Sequence, residues 1–299
     1  MSKQKKLNNV ELVNHLEEKG ITFRNISKGQ AITFIDKTNY YYKIAAFRKN
    51  FKKRDGKYID LDFEYLKDLA SIDMQIRNLL FSISINTEHF IKTEISRLIN
   101  NNSKENGYNI IKEFQNSKEY KKYYNLTKKK FKQSRYQHDM YEKRKKDYPY
   151  WALLEHMDYG CLIKFIKFYY SKYKNKSKSL KKAVELGDNA RYIRNACAHN
   201  SVFIINVFEE NSKLNNVNAN VTTLAKQIGV YKFKNYKKVN DLLSLCALSK
   251  AYCSKPVLEY QRKDLDNFLE RCYRNKDYYR KNLELTKMIT VFEKIQKII

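Results

Sequence analysis

The sequence predicts an all-α protein, and three observations support that prediction. Only 7 glycines and 2 prolines occur among 299 residues, so few positions are expected to interrupt a helix. Hydrophobic residues make up 42% of the chain, which is enough to build a core. Within residues 62–100, apolar side chains recur at steps of three and four, the period of one helix face. We therefore expect a bundle of long helices.

The chain is predicted to have an N-terminal segment, residues 1–58, followed by a helical domain over residues 59–299. Within the first segment, residues 8–19 have apolar side chains at helical spacing, and Gly20 is expected to end this helix. The stretch "KKRDGKY" at 52–58 is typical of a turn.

Local patterns predict the later elements. The stretch "YPYWALLEHMDYGCLIKFIKFYY" at 148–170 is expected to form one helix. Residues 201–208, "SVFIINVF", have a strand-like composition but are also compatible with a continued helix. Residues 211–221 are predicted to be loop, and from residue 238 onward the helical pattern returns in two or three segments.

A basic insertion at about 102–147 differs in character from the rest of the domain. Residues 117–147 contain twelve Lys and Arg, four acids and five interleaved tyrosines. We predict a projecting helical arm. It either faces RNA, with lysines on phosphates and tyrosines on bases, or is simply a solvated charged helix. The candidate RNA-binding residues are Lys128, Lys129, Lys130, Lys132, Arg135 and Arg144.

The overall charge also favours a polyanionic partner. The chain has 60 Lys and Arg against 32 Asp and Glu, a formal net charge of +28 at pH 7. Bias toward AT-rich codons would raise the lysine content, but it would not explain the shortage of acids. A nucleic acid or an anionic membrane surface suits such an excess. No stretch reaches the ~20 apolar residues of a membrane span, so we expect no membrane partner.

Cysteine usage points to a reducing compartment. The five cysteines include no C-x-x-C pair, so neither a disulfide framework nor a zinc site is indicated. The N-terminus has no apolar signal segment after its positive charges. We expect a cytoplasmic protein with no metal and no cofactor.

The stretch "RYIRNACAHN" at 191–200 is the strongest candidate for a functional site. On an ideal helix it has one polar face around the small Ala198, where a phosphate could approach. That face carries Arg191, Arg194, Asn195 and His199. The opposite side offers Ile193, Ala196 and Cys197 to a core. By itself this spacing also fits a surface helix with a chance histidine.

Several blocks of the sequence resemble the Abi family of bacterial abortive-infection proteins (AbiD/AbiF-like). "IRNACAHN" is similar to that family's "IRN-x-CAHH", and Arg194 and His199 have the R-x4-6-H spacing of the HEPN ribonuclease superfamily. Three earlier blocks are similar in the same order, at 39–47, 69–96 and 148–162. The middle block matches the family at Asp73, Arg77, Glu88, His89, Lys92 and Thr93.

The resemblance covers most of residues 8–208 and departs from the family at two positions. Asn200 stands where a second histidine is common, and Val202 stands where an arginine is common. The second change removes a possible supporting contact. The basic insertion and the tail beyond about residue 210 are not covered by the resemblance.

The resemblance implies a HEPN-type helical bundle that acts as a metal-independent ribonuclease, usually as a homodimer. His199 would act as general base or acid, and Arg194 would stabilise the charge on the phosphorane. Asn195 would orient the phosphate or the histidine. Attack by the neighbouring ribose 2′-OH would leave 2′,3′-cyclic phosphate and 5′-OH ends.

Residues around these three are given supporting roles. Arg191 and Asn200 are expected to contact RNA. Glu88, His89 and Lys92 are expected to form a polar cluster that braces the helix beside the motif, with direct RNA contact as the alternative. Trp151 is expected to lie in the core rather than to stack on a base.

The helix geometry adds a prediction about assembly. Arg194 and His199 are about 140° apart on an ideal helix, so one copy reaches a single phosphate only awkwardly. A two-fold axis that places two such helices side by side would bring four groups around one phosphate. We therefore predict a homodimer with a composite active site.

Three function classes remain open from the sequence. The first is an RNA-cleaving antiphage effector of the toxin type, held in complex with a noncoding RNA that restrains it, as in a toxin–antitoxin pair. The second is a catalytically silent RNA-binding protein with a HEPN fold. The third is a DNA-binding regulator.

Overall fold

The computed structural model describes residues 6–38 and 40–298, and within these ranges nearly all regular structure is α-helical. The prediction of an all-α bundle is therefore confirmed. Residues 1–5 and 299, at the ends of the two predicted segments, lie outside the described residues. So does Asn39, the first residue of the block at 39–47.

The described residues form fourteen α-helices and one two-stranded hairpin. Helices α1 to α4 are Asn9–Glu18, Lys28–Lys37, Tyr41–Ala46 and Phe63–Asn100. Helices α5 to α9 are Asn109–Asn116, Lys121–Lys132, His138–Arg144, Tyr150–His156 and Tyr159–Lys172. Helices α10 to α14 are Lys181–Ala198, Ala219–Gln227, Lys237–Tyr252, Lys255–Arg274 and Leu283–Gln296. Strands β1, Lys53–Arg54, and β2, Lys57–Tyr58, are antiparallel.

Helix α4 is the organising element of the fold. Its 38 residues begin at the N-cap Asp62, whose carboxylate accepts the Glu64 N–H at 3.0 Å. The apolar stripe predicted from the sequence is buried along its length. Helices α3, α9, α10, α12 and α13 pack against it, and the helix continues through residues 84–86 without a break. Residues at both ends of the chain are therefore fixed on one helix.

The predicted N-terminal elements are confirmed. Helix α1 has a capping box between Asn8 and Glu11, and Gly20 follows it with φ +88°. The predicted turn is the β1–β2 hairpin, with Asp55 and Gly56 both at positive φ.

Residues 148–170 form two helices rather than the single predicted one. Helix α8 ends at His156, and Asp158 is the N-cap of α9, where its Oδ1 accepts the Cys161 N–H at 2.8 Å. Because the helical spacing of apolar residues continues across the break between α8 and α9, the spacing alone predicts one helix. The N-cap aspartate was the local signal that the periodicity argument overlooked.

Residues 201–208 form neither the strand nor the continued helix considered from their composition. They run as irregular backbone with bends and turns. Phe203, Ile204, Val207 and Phe208 are nonetheless buried. The two or three helical segments predicted from residue 238 onward are three, namely α12, α13 and α14.

The basic insertion is helical, but the prediction that it projects from the domain is wrong. Helices α5, α6 and α7 pack against one another, and α5 and α6 also pack on α9. Their apolar residues sit at helical spacing and are buried, among them Ile110, Phe114 and Phe131. Of the five tyrosines expected to stack on bases, Tyr124 and Tyr141 are buried and only Tyr136, at 90% exposure, is fully accessible.

One hydrophobic core includes buried residues from α1 to α14. The division into an N-terminal segment and a domain from residue 59 stays a prediction. No helix in ranges 6–38 and 40–298 is long and apolar enough to cross a membrane.

Gly187 sets the distance between α9 and α10. A Cβ at Gly187 would lie 2.9 Å from Ile163 Cγ1 and closer still to Cδ1. We expect Gly187→Ala to destabilise the protein by about 1–3 kcal/mol in denaturant unfolding, because a well-packed contact must open. Gly29 on α2 is the control, since a Cβ there has only Ser27 Oγ nearby, at 4.0 Å. Gly29→Ala should be neutral or slightly stabilising, and equal effects at both positions would contradict the prediction.

Candidate functional site

Helix α10 presents the 191–200 motif with one side in the core. Ile193 and Cys197 are buried, as the helix wheel predicts, while Ala196 is half-buried. Arg194 and Asn195 are also half-buried. The helix contacts α4, α9 and α12, so three long elements fix its position.

His199 lies at the end of α10 rather than inside it. Ala198 is the last helical residue, and His199 is the C-cap, whose N–H still donates to Asn195 O at 3.0 Å. Asn200 follows with φ +57°, a left-handed conformation that ends the helix. The His199 side chain is exposed and has no hydrogen-bond or ion-pair partner in the part of the chain that the structure describes. It is therefore accessible to a ligand.

A buried ion pair on α4 fixes the turn that follows His199. Arg77 Nε donates to Asp73 Oδ2 at 2.8 Å, and both side chains are almost fully buried. Asp73 Oδ1 accepts the backbone N–H groups of Phe203 and Ile204, at 2.7 and 3.0 Å. Arg77 Nη1 donates to the side-chain oxygen of Asn200. The side-chain oxygen of Asn200 therefore has a protein partner, while the residue is exposed and its contact with RNA stays a prediction.

Lys238 on α12 holds the same segment from the other side. Its Nζ donates to the carbonyl oxygens of Phe203 and Ile205, both at 2.7 Å. Burial lowers the pKa of Lys238 to about 8. Asp73 thus accepts from two backbone amides and Lys238 donates to two backbone carbonyls, so these four polar groups of the irregular backbone after His199 are paired.

The polar side of α10 contacts the predicted supporting cluster of Glu88, His89 and Lys92 through Glu88. Arg194 Nε lies 4.0 Å from Glu88 Oε2, and Lys92 Nζ lies 3.1 Å from Glu88 Oε1. Arg194 Nη1 also donates to Asn195 Oδ1 at 3.3 Å. The structure therefore brings Glu88 and Lys92 to the motif, whereas no contact joins the exposed His89 to it among the described residues.

Several buried polar atoms in this region have no hydrogen-bond partner in the described chain. Among them are Arg194 Nε and the Tyr159 hydroxyl. Burial raises the pKa of Tyr159, and the negative charges of Glu88 and Asp188 raise it further while Arg194 lowers it. Tyr159 therefore stays a neutral donor. The Arg194 Nε–H has the Glu88 carboxylate at 4.0 Å but no hydrogen-bond acceptor among the described residues, so it can still donate to an anionic ligand.

Arg191 belongs to a second charge cluster one turn earlier. Its Nε lies 3.7 Å from Asp188 Oδ1, and Lys167 Nζ lies 2.6 Å from Asp188 Oδ2. Burial alone would raise the pKa of Asp188, but the hydrogen bond from Lys167 and the charge of Lys164 hold it below its usual value. The cluster thus has more positive than negative charges.

The basic insertion reaches the start of α9 beside this cluster. Lys130 pairs with Asp158, the N-cap of α9. Asp158 Oδ1 and Arg191 Cδ lie 3.4 and 3.3 Å from the place a Cβ would take at Gly160. Helix α6 therefore adjoins the motif. Lys128 lies over the Tyr148 ring, 5.5 Å from its centroid. The remaining candidates in the insertion are exposed, and within the described residues they form no hydrogen bond or ion pair with α10; they are Lys129, Lys132, Arg135 and Arg144.

A polar groove runs along α4 beside the cluster. Its volume is about 560 Å³, and its walls include His89, Lys92, Arg97 and Trp151. The expectation that Trp151 lies in the core is wrong, because 48% of its surface is exposed. Trp151 follows the N-cap Pro149 in the first turn of α8, and its indole ring lies against Gly107.

Some residues of the site were not predicted as such from the sequence. Asp73 and Arg77 belonged to the matched block at 69–96 but received no role. Tyr159, Asp188 and Lys238 carried no distinguishing local pattern. Within ranges 6–38 and 40–298, no group of three or more His, Cys, Asp or Glu side chains is arranged to hold a metal ion.

Comparison with known proteins identifies the family. The family model described as Abi-like protein matches residues 33–205, more than half of the chain. The matched range includes α4, α10 and the turn after His199. No curated protein and no solved structure matches the chain. The chain belongs to the family of Abi-like proteins.

Proposed function

We propose that this protein is a metal-independent endoribonuclease of the HEPN type that acts as an abortive-infection effector in the cytoplasm. One observation carries the proposal. In an Abi-like chain, the Nε–H of Arg194, which has no hydrogen-bond acceptor among the described residues, and the accessible side chain of His199 lie on the last turn of one fixed helix. Histidine can transfer the proton and arginine can stabilise the charge on the phosphorane, and these are the two tasks of RNA cleavage without a metal.

The proposed chemistry uses the RNA's own nucleophile. His199 removes the proton of a ribose 2′-OH, whose oxygen attacks the adjacent phosphorus. Arg194 donates hydrogen bonds to the non-bridging oxygens as negative charge builds on the phosphorane. The P–O5′ bond breaks, the 5′ oxygen takes up a proton, and the products are 2′,3′-cyclic phosphate and 5′-OH ends.

Other residues prepare the site for this step. Asn195 accepts from Arg194 and so limits the directions in which the guanidinium can point. Glu88 Oε2 lies 4.0 Å from Arg194 Nε and helps to orient the guanidinium. Arg191, Lys130 and the α4 groove with Trp151 supply positive charge and one aromatic face for flanking nucleotides.

Cleavage in EDTA tests this function. The protein is incubated with single-stranded RNA in excess EDTA, and the product ends are identified by mass spectrometry. We expect 2′,3′-cyclic phosphate ends and no cleavage of a strand with a 2′-deoxyribose at the cut position. If the RNA is bound tightly but stays intact, the protein is instead a catalytically silent RNA-binding protein. Val202, which stands where an arginine is common in the family, favours this alternative.

A composite site in a homodimer is part of the proposal. The N–H of the C-cap His199 still bonds to Asn195 O, so its Cα follows the helix and the angle of about 140° to Arg194 still applies. Mixing Arg194→Gln with His199→Ala protomers should then restore up to about half of wild-type activity, because half of a random mixture is heterodimer, whose shared site keeps one Arg194 and one His199. Activity no higher than that of either variant, with only monomer in sedimentation, would contradict it.

The high positive charge also supports a bound noncoding RNA that restrains the effector. Co-purification from cells followed by sequencing should recover one discrete RNA. A random population of fragments would count against this partner.

A further inference from the structure

A second cavity lies between α2, α3, α4 and α13. Its volume is about 860 Å³, within the ~300–1,000 Å³ range of small-ligand sites. Its walls include Lys43 from α3, Arg77 from α4 and Arg271 from α13. Asn200, the residue that follows His199, also lines it. None of the functions proposed above uses this cavity.

Two cationic side chains in the wall lack a full set of partners among the described residues. Lys43 is only 8% exposed, yet it forms no hydrogen bond or ion pair with the described residues. Burial lowers its pKa, and the positive charge of Arg77 lowers it further. Arg271 pairs with Asp68 through Nη2, but its Nη1 is buried with no hydrogen-bond partner in the described chain. Such groups are costly unless a ligand completes them.

The acids in the wall are already engaged by the protein. Asp36 accepts from Asn9 at 3.0 Å, and Glu64 accepts from Lys67 at 3.1 Å. Asp68 accepts from Arg271, from Asn275 at 2.8 Å and from Tyr279 at 2.6 Å. The wall carries six Lys and Arg side chains against these three acids, so its net charge is positive.

The rest of the wall is apolar and aromatic. Phe34, Ile35 and Ala70 contribute apolar surface. Tyr40 and Met74 are 61% and 48% exposed and lie along the same wall. A ligand that fits this lining combines an anionic group with a flat ring.

We propose that this cavity binds a nucleotide, with its phosphates on Lys43, Arg271 and Arg274 and its base against Tyr40 and Met74. The nucleotide is either free or the terminal residue of an RNA chain, since both present the same groups. Arg77 joins this site to the turn after His199, because it lines the cavity and donates to Asn200. Binding is independent of RNA cleavage.

Calorimetric titration with ADP tests the site, with inorganic pyrophosphate as the ring-free comparison. We expect wild-type protein to bind ADP more tightly than pyrophosphate. Lys43→Met should lose at least about tenfold in ADP affinity, because it removes a charge-assisted hydrogen bond. The same variant should unfold at the same or a higher temperature than wild type, since an unpaired buried charge is gone. Lys250→Met, on the exposed surface of α12, is the charge-matched control and should bind ADP normally.

Each other outcome overturns part or all of the inference. If the folded protein does not bind ADP, or if the Lys43→Met and Lys250→Met variants bind it equally well, the cavity is not the binding site. If pyrophosphate binds as tightly as ADP, the site binds a simple anion and not a nucleotide. A 5′-phosphorylated oligoribonucleotide that displaces ADP identifies an RNA end as the occupant, and failure to displace it identifies a free nucleotide. These results stand whether or not the protein cleaves RNA.

Discussion

Replacing Asp73 with asparagine is expected to lower the free energy of unfolding by about 3–5 kcal/mol. The amide cannot balance the charge of Arg77, whose side chain is 4% exposed, so a buried cation is left uncompensated. Asparagine also weakens the acceptor for the Phe203 and Ile204 amides. Denaturant unfolding measures the loss, and hydrogen exchange should show faster exchange at these two amides.

The matched control is Glu94→Gln on the same helix. Glu94 pairs with Arg97, whose side chain is 55% exposed, so removing this pair should cost at most about 1 kcal/mol. Equal losses for Asp73→Asn and Glu94→Gln would show that the buried pair has no special role. Unchanged protection at Phe203 and Ile204 would show that Asp73 does not hold the turn.

Local patterns in the sequence predict the elements that depend on local chemistry. The capped helix α1, the Asp-Gly turn at 55–56 and the apolar stripe of α4 follow from spacing and turn residues alone. The buried sides of α10 at Ile193 and Cys197 also follow from the helix wheel. Each of these features is set by residues within a few positions of one another.

Long-range contacts explain most of what the sequence did not predict. The backbone after His199 is fixed by Asp73 and Lys238, which are more than thirty residues away in the chain. No local pattern in "SVFIINVF" reports those partners. The many charges of the insertion likewise predicted a solvated arm, although its few apolar residues are buried and pack it onto α9.

The candidate site was predicted as a set of residues but not as a geometry. Arg194 and His199 were selected by their spacing, yet the wheel placed both inside a helix. The C-cap position of His199 depends on the left-handed Asn200 and its bond to Arg77. This arrangement matters for function, because a side chain at an exposed helix end can reach a substrate that a side chain in the middle of the helix cannot.

Replacing His199 with alanine is expected to reduce RNA cleavage by about 10²–10⁴-fold, the usual contribution of a general acid or base. The side chain is exposed and unpaired in the described chain, so the free energy of unfolding should change by no more than about 0.5 kcal/mol. The loss should fall on kcat, because the proposed role of His199 is proton transfer. Single-turnover cleavage in EDTA, with RNA affinity measured separately, distinguishes the rate from the affinity.

His15→Ala is the matched control, because His15 is a partly exposed histidine on α1 and outside the motif. It should cleave RNA at the wild-type rate. If His199→Ala also keeps that rate, then His199 is not the acid or base. If His199→Ala loses RNA affinity and cleavage in equal proportion, the residue binds RNA without transferring a proton. Only a loss in rate at unchanged affinity and stability agrees with the proposed mechanism, because proton transfer contributes to the transition state and not to the bound ground state.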